Sequence, residues 1–348
     1  MSRRSLTARL LTTATAGLAA LALAACGGAD AGTDTGTDAA DATSTSGSGE
    51  GSASSSDAGT VTITDNHGEV EVEVNPERVV ALDNHVFETL HAWDVPLVAA
   101  PKTIMGDVWP AYTDDAAVLD VGSHREPNLE AIIEAQPDLI IGGYRFSESY
   151  ADIKAQNPQA VVIELAPREG EDPEAEMTRQ VEILGQIFDR EDDAAAIVAD
   201  YEDSIATAAE AYNGTDTVIG LITSGGEIAY SAPVTGRSIG VLFPTLGLTP
   251  AIEQAAEDVS HGDDISVEAI AAANPDWLVV LDRDGSGVGE GEYTSAQQLI
   301  SGSEALAGVT AVAQNQIVYL DPDFYLTEDI QAYTALYDQI GEAFGAAR

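Results

Sequence analysis

LEAIIEAQPDLIIGGYR, residues 129–145, and VEAIAAANPDWLVVLDR, residues 267–283, are two copies of one pattern. Glu130, Pro137, Asp138 and Arg145 in the first copy become Glu268, Pro275, Asp276 and Arg283 in the second, in the same register. Each copy predicts a short amphipathic helix, a turn marked by Pro-Asp, a buried apolar strand, and a cation just past the strand's carboxyl end. One such unit is ordinary in α/β proteins, where an arginine often caps a strand for solubility. Two in register point to two similar lobes. Open parallel α/β sheets bind ligands outside the carboxyl ends of their strands, so each lobe is expected to aim its arginine at a shared cleft.

The amino-terminal end is of a different kind. Arg3, Arg4 and Arg9 precede an Ala/Leu-rich stretch that closes on Leu23-Ala24-Ala25-Cys26. This is the layout of a secretory signal with a lipobox-like end, so residues 1–25 are expected to be cleaved and Cys26 lipidated. Cys26 is the single cysteine of the chain, and lipidation gives a lone thiol in an exported protein a use. The apolar run is too short and Ala-rich to read as a spanning helix. Residues 26–59 are rich in Gly, Ala, Ser, Thr and Asp and contain no aromatic residue. Such a segment cannot bury enough apolar surface to offset its ordering entropy and reads as a flexible tether.

Charge narrows the partners. The first 25 residues hold three of the fourteen basic residues and no acid, leaving eleven basic against 59 acidic residues, a formal charge of −48. Nucleic acid and anionic bilayers are poor partners for that surface. Lys102 and Lys154 are the only lysines, so the remaining cations are mostly arginines, the better residue for planar or bidentate anionic groups.

Between these limits the pattern is α/β. VTITDNHGEVEVEV, residues 61–74, alternates as a hairpin with His67-Gly68 near its turn. Buried strands are expected around residues 79–82, 118–121 and 161–164, and helices over 87–95 and 174–188. Residues 190–214 predict one long helix of about 23 residues, spanning about 35 Å, suited to a rod between lobes. The second half restarts with a strand at 217–224, a helix over 236–248, the second repeat unit, a strand near 317–320 and a terminal helix over 330–344. The expected organisation is a signal segment (1–25), a tether (26–59), an N-terminal lobe (60–188), a linking helix (189–214) and a C-terminal lobe (215–348). The lobes are Rossmann-like, joined by the single long helix.

A tethered lipoprotein of this plan resembles the solute-binding components of ABC importers for iron-siderophores and vitamin B12. Residues 260–289, SHGDDISVEAIAAANPDWLVVLDRDGSGVG, and residues 317–326, IVYLDPDFYL, resemble the subfamily that binds ferric catecholate siderophores, including bis-catecholates. The resemblance implies a ligand cleft between the lobes and three arginines converging on the ligand's phenolate oxygens, here Arg145, Arg237 and Arg283. It implies a histidine and a tyrosine completing the iron's coordination, here His261 and Tyr325, the latter expected in a loop after Asp321-Pro322. Glu130 and Glu268 match the acids that dock on the two permease subunits. The implied protein is a monomer on the extracytoplasmic face of the membrane, without an intrinsic cofactor, its ferric iron arriving within the siderophore. The wall formed by residues 102–112 matches no motif.

The chemistry is coherent. Ferric iron favours oxygen donors and accepts imidazole as a supplement; two catecholates fill four of its six positions, and phenolate and imidazole suit the other two. Guanidinium groups fit the anionic phenolates in charge and geometry. His67, His85, His91 and His124 show no mutual metal spacing, which disfavours a zinc- or manganese-binding component. Residues 284–291, DGSGVGEG, lack the spacing of a dinucleotide fingerprint. Alternatives within the fold are another iron chelate, haem or a cobalamin, the last offering little anionic charge to three arginines. From other classes stand a surface-displayed α/β enzyme and a ligand sensor.

Overall fold

The computed structural model describes residues 59–168, 170–287 and 293–348. The signal segment, Cys26 and nearly all of the tether lie outside them, as does the end of the glycine-rich loop after Arg283. The described residues form one compact unit.

The two copies of the repeat fold alike because the same residues do the same local work. Asn128 and Ser266 cap helices Leu129–Ala135 and Val267–Ala273, each accepting from the backbone N–H three residues on. Both helices stop at a left-handed residue, Gln136 and Asn274. Asp138 then accepts from the backbone N–H groups of Glu77 and Arg78, and Asp276 from that of Thr217. Each Pro-Asp aspartate thus ties the start of its own strand to the start of the parallel strand beside it. Leu139–Gly142 pairs in parallel with Val79–Ala81, and Trp277–Asp282 with Thr217–Ser224.

The first sheet is wholly parallel, in the spatial order Leu119–Asp120, Leu97–Ala100, Val79–Ala81, Leu139–Gly142, Val161–Glu164. Strand order reverses between Val79–Ala81 and Leu139–Gly142, which opens a crevice at their carboxyl ends. The second sheet runs Asp263–Asp264, Glu227–Ser231, Thr217–Ser224, Trp277–Asp282, Ile317–Tyr319, with Thr249–Pro250 also pairing Thr217–Ser224. Its reversal lies between Thr217–Ser224 and Trp277–Asp282.

Helices Pro173–Phe188, Glu191–Ala211 and Ile330–Ala346 pack together. Their apolar faces join residues of both sheets in one hydrophobic cluster, from Val79 and Leu139 to Val218 and Val279. At 21 residues the linking helix spans about 32 Å. Gly341 lets the terminal helix approach it closely, since a Cβ there would lie 3.3 Å from the Ala208 backbone. The chain between the lobes is therefore part of the core.

Three readings need correction. Strand Leu97–Ala100 was not anticipated; it is short and follows the Pro96 break. Residues 236–248 form a helix only over Leu242–Leu246, preceded by an unanticipated strand, Glu227–Ser231, antiparallel to Thr217–Ser224. Gly236 lies between them, its bare Cα packed close to the strand end, where a Cβ would meet the Ala232 backbone at 2.6 Å. Tyr325 lies not in a loop but in the one-turn helix Phe324–Thr327.

Candidate functional site

A cavity of about 710 Å³ opens at the carboxyl ends of both sheets. Arg145, Arg237, His261, Arg283 and Tyr325 all line it. Glu130 and Glu268 do not; each is exposed in the first turn of its repeat helix, one in each lobe. Cys26 lies outside the described residues.

Each arginine is delivered by the end of a strand. Arg145 follows Leu139–Gly142 in the 3-10 turn Tyr144–Ser149, which begins after Gly143 at φ 111°. Arg283 ends Trp277–Asp282 at the second lobe's strand-order reversal, where its Nη1 donates to Ser224 Oγ at 2.8 Å. Arg237 follows the Gly236 turn after Glu227–Ser231.

The three guanidinium carbons lie 5.1 Å (Arg145), 4.2 Å (Arg237) and 5.2 Å (Arg283) from the centre of the Tyr325 ring. Tyr325 is only 5% exposed. Burial pushes its phenol up, but Arg237, with Arg283 and Arg145, outweighs burial and leaves the phenol below its ordinary range. The three guanidinium groups thus ease loss of the phenol proton, and phenolate is the form that binds ferric iron. His261 sits at the rim, its side chain 51% exposed and its Nδ1 3.5 Å from Asp258 Oδ2. Among the described residues no group of three or more His, Cys, Asp and Glu side chains is arranged to hold a metal ion.

Donor capacity is unevenly used. Arg145 Nε and Arg283 Nε are buried without a protein partner. Arg237, by contrast, grips Glu328: Nε donates to Oε1 at 2.8 Å and Nη2 to Oε2. Ser238 Oγ and Tyr144 OH also donate to that carboxylate, at 2.6 and 2.7 Å. Burial pushes the Glu328 carboxyl up; Arg237 foremost, then Arg145 and Ser238, overcome this and hold it at about 2.

Several contributors escaped the sequence reading. Tyr144, Glu328, His124 and Arg125 surround the arginines, and Thr103 and Ile104 supply the wall that had no motif. Adjacency to the repeat arginine is the one signal for Tyr144. Glu328 carried none beyond lying three residues after Tyr325. His124 rides on the hairpin Gly122–Ser123/Glu126–Pro127; burial, then Arg145 and Arg125, lower its pKa. His85 lines a second cavity of about 230 Å³ that shares Tyr144 and Arg237 with the first.

Residues 79–324 match the periplasmic binding protein family. The chain belongs to that family. It is 32% identical to the petrobactin-binding protein YclQ of Bacillus subtilis (strain 168) over 252 residues, 71% of this chain and 75% of that protein. It is 27% identical to the ferric-anguibactin-binding protein FatB of Vibrio anguillarum over 255 residues, covering 72% and 77%. The crystal structure of the Bacillus subtilis petrobactin-binding protein superposes with a TM-score of 0.70 at 26% identity, over 82% of this chain and 99% of that one. The periplasmic catecholate-siderophore binding protein VctP of Vibrio cholerae shares the fold, with a TM-score of 0.69 at 24% identity over 83% and 100%. No helix among the described residues is long and apolar enough to cross a membrane.

Proposed function

We propose that this protein captures a ferric catecholate siderophore outside the cytoplasmic membrane and hands it to an ABC permease for iron uptake. The observation that carries the reading is the set of three guanidinium groups, from both lobes, packed around one phenol at the floor of a single cavity. That floor suits a planar, anionic, oxygen-rich chelate better than a neutral macrocycle or a peptide. The relatives, named for binding petrobactin and ferric-anguibactin, support a siderophore as the ligand.

In this reading Arg145, Arg283 and the remaining edge of Arg237 hold the phenolate oxygens. Tyr325 and His261 fill the two iron positions that a bis-catecholate leaves open. The protein acts as a binder, not an enzyme, and returns the chelate unchanged. Glu130 and Glu268 dock on the two permease subunits, and lipidated Cys26 holds the monomer at the extracytoplasmic face. Native mass spectrometry of residues 59–348 against ferric bis-catecholate, tris-catecholate, hydroxamate, haem and cobalamin tests the ligand class. The catecholates should be retained as intact chelates. Retention of haem or cobalamin alone would overturn the reading.

A further inference from the structure

Glu328 occupies a position that backbone geometry gives no reason to fill with a glutamate. It ends helix Phe324–Thr327 in the left-handed conformation, φ 53°, where glycine or asparagine meets less steric cost. Its side chain is 4% exposed, and burying a carboxylate is costly unless it is paired. Here it is paired with an arginine of the ligand cavity and lies 3.9 Å from a second, Arg145. A carboxylate at this point subtracts from the attraction an anionic ligand feels.

We infer that Glu328 sets the charge of the cleft, cancelling one of its guanidinium groups and biasing the site toward ferric chelates of low negative charge. This rests on the ferric catecholate reading above and narrows it. Asp284, 3.7 Å from Arg283, acts in the same sense. Arg145, Arg237, Arg283 and Arg125 beside them, set against Glu328, Asp284 and the Tyr325 phenolate that ligates the iron, leave the cavity with a single net positive charge. A catecholate is a dianion, so ferric iron with two catecholates is a monoanion and with three a trianion. The monoanion matches the floor. The trianion leaves excess charge inside a protein whose acids already outnumber its bases heavily, and like charge in a poorly screened cleft weakens binding.

The decisive quantity is the ratio of affinities for a bis-catecholate and a tris-catecholate ferric complex, because a general loss of site geometry lowers both and cancels. In the unaltered protein the ratio should favour the monoanion. Glu328→Gln removes the charge and keeps an acceptor for Arg237. It should shift the ratio toward the trianion about tenfold, from Coulomb's law for charges about 10 Å apart at an effective dielectric between about 20 and 80. Arg237→Gln with Glu328→Gln restores the net charge of the floor and should restore the ratio. Ser238→Ala removes a hydrogen bond to Glu328 and no charge, and should leave the ratio alone. A ratio favouring the trianion in the unaltered protein overturns the inference. So does an unchanged ratio in Glu328→Gln, or an equal shift in Ser238→Ala. Failure to bind either complex would instead refute the ferric catecholate reading itself.

Discussion

Removing the guanidinium of Arg237 should unsettle the protein as much as its site. The Arg237–Glu328 pair is buried and doubly hydrogen-bonded, so Arg237→Ala leaves a carboxylate with only Ser238, Tyr144 and Arg145, the last at 3.9 Å, for company. Glu328 is held at about 2 instead of an ordinary 4.5, which corresponds to about 3 kcal/mol of stability at about 1.4 kcal/mol per pH unit. A depressed carboxyl contributes this fully above pH 4.5 and loses it as pH falls through about 2. Without Arg237 the carboxyl can protonate, at a cost that grows with pH above its unfolded value. The destabilisation should therefore be larger at pH 7 than at pH 4.5, and at pH 7 at least the 3 kcal/mol. In a domain of this size that lowers the melting temperature by roughly 5–10 °C. Thermal unfolding followed by circular dichroism, on Arg237→Ala alone and with Glu328→Gln, measures both terms. A melting temperature within a degree of the parent at pH 7 refutes the argument. A loss that the second substitution does not reduce refutes it equally.

Arg283→Ala should spare stability and weaken catecholate binding about thirtyfold or more, since truncating one partner of a buried charged contact costs about 2–5 kcal/mol; Arg283→Lys should recover only part, and an unchanged dissociation constant would place Arg283 outside the site. Burial, with Glu88 adding, pushes the Asp329 carboxyl from 3.8 to about 7. A raised acid favours the fold below its unfolded pKa and loses that support as pH rises through the folded one. Asp329→Asn keeps the cap that Oδ1 makes to the Ala332 N–H and removes the unpartnered charge at Oδ2. It should stabilise the protein at pH 8 by up to roughly 4 kcal/mol and do little at pH 4; no gain in melting temperature at pH 8 would contradict this. Glu130→Lys with Glu268→Lys should abolish iron uptake in cells while leaving soluble-domain affinity intact, because both acids are exposed away from the cavity; a large affinity loss would rule out docking as their role.

Sequence alone was sufficient wherever the determinant is local or repeated. The two Pro-Asp units announced a strand, the strand beside it and an arginine at its end, because helix caps, turn chemistry and side-chain period act over a few residues. The long helix of 21 residues was legible for the same reason, from its unbroken apolar spacing and acidic first turn. The missed strands Leu97–Ala100 and Glu227–Ser231 are short, four and five residues, and their pairing is settled by neighbours distant in the chain.

Tertiary structure alone decided the electrical character of the cleft. Arg145, Arg237 and Arg283 were nameable from the repeat and from family resemblance, but nothing local says that Arg237 is spent on Glu328, 91 residues away. Nothing local says that Tyr325 ends beneath all three guanidinium groups, or that Tyr144 reaches Glu328 from the other lobe, 184 residues distant. Coulomb energy and desolvation depend on distance and burial in space. Periodicity says which face of an element is buried, and only the packed lobes say which charges meet there.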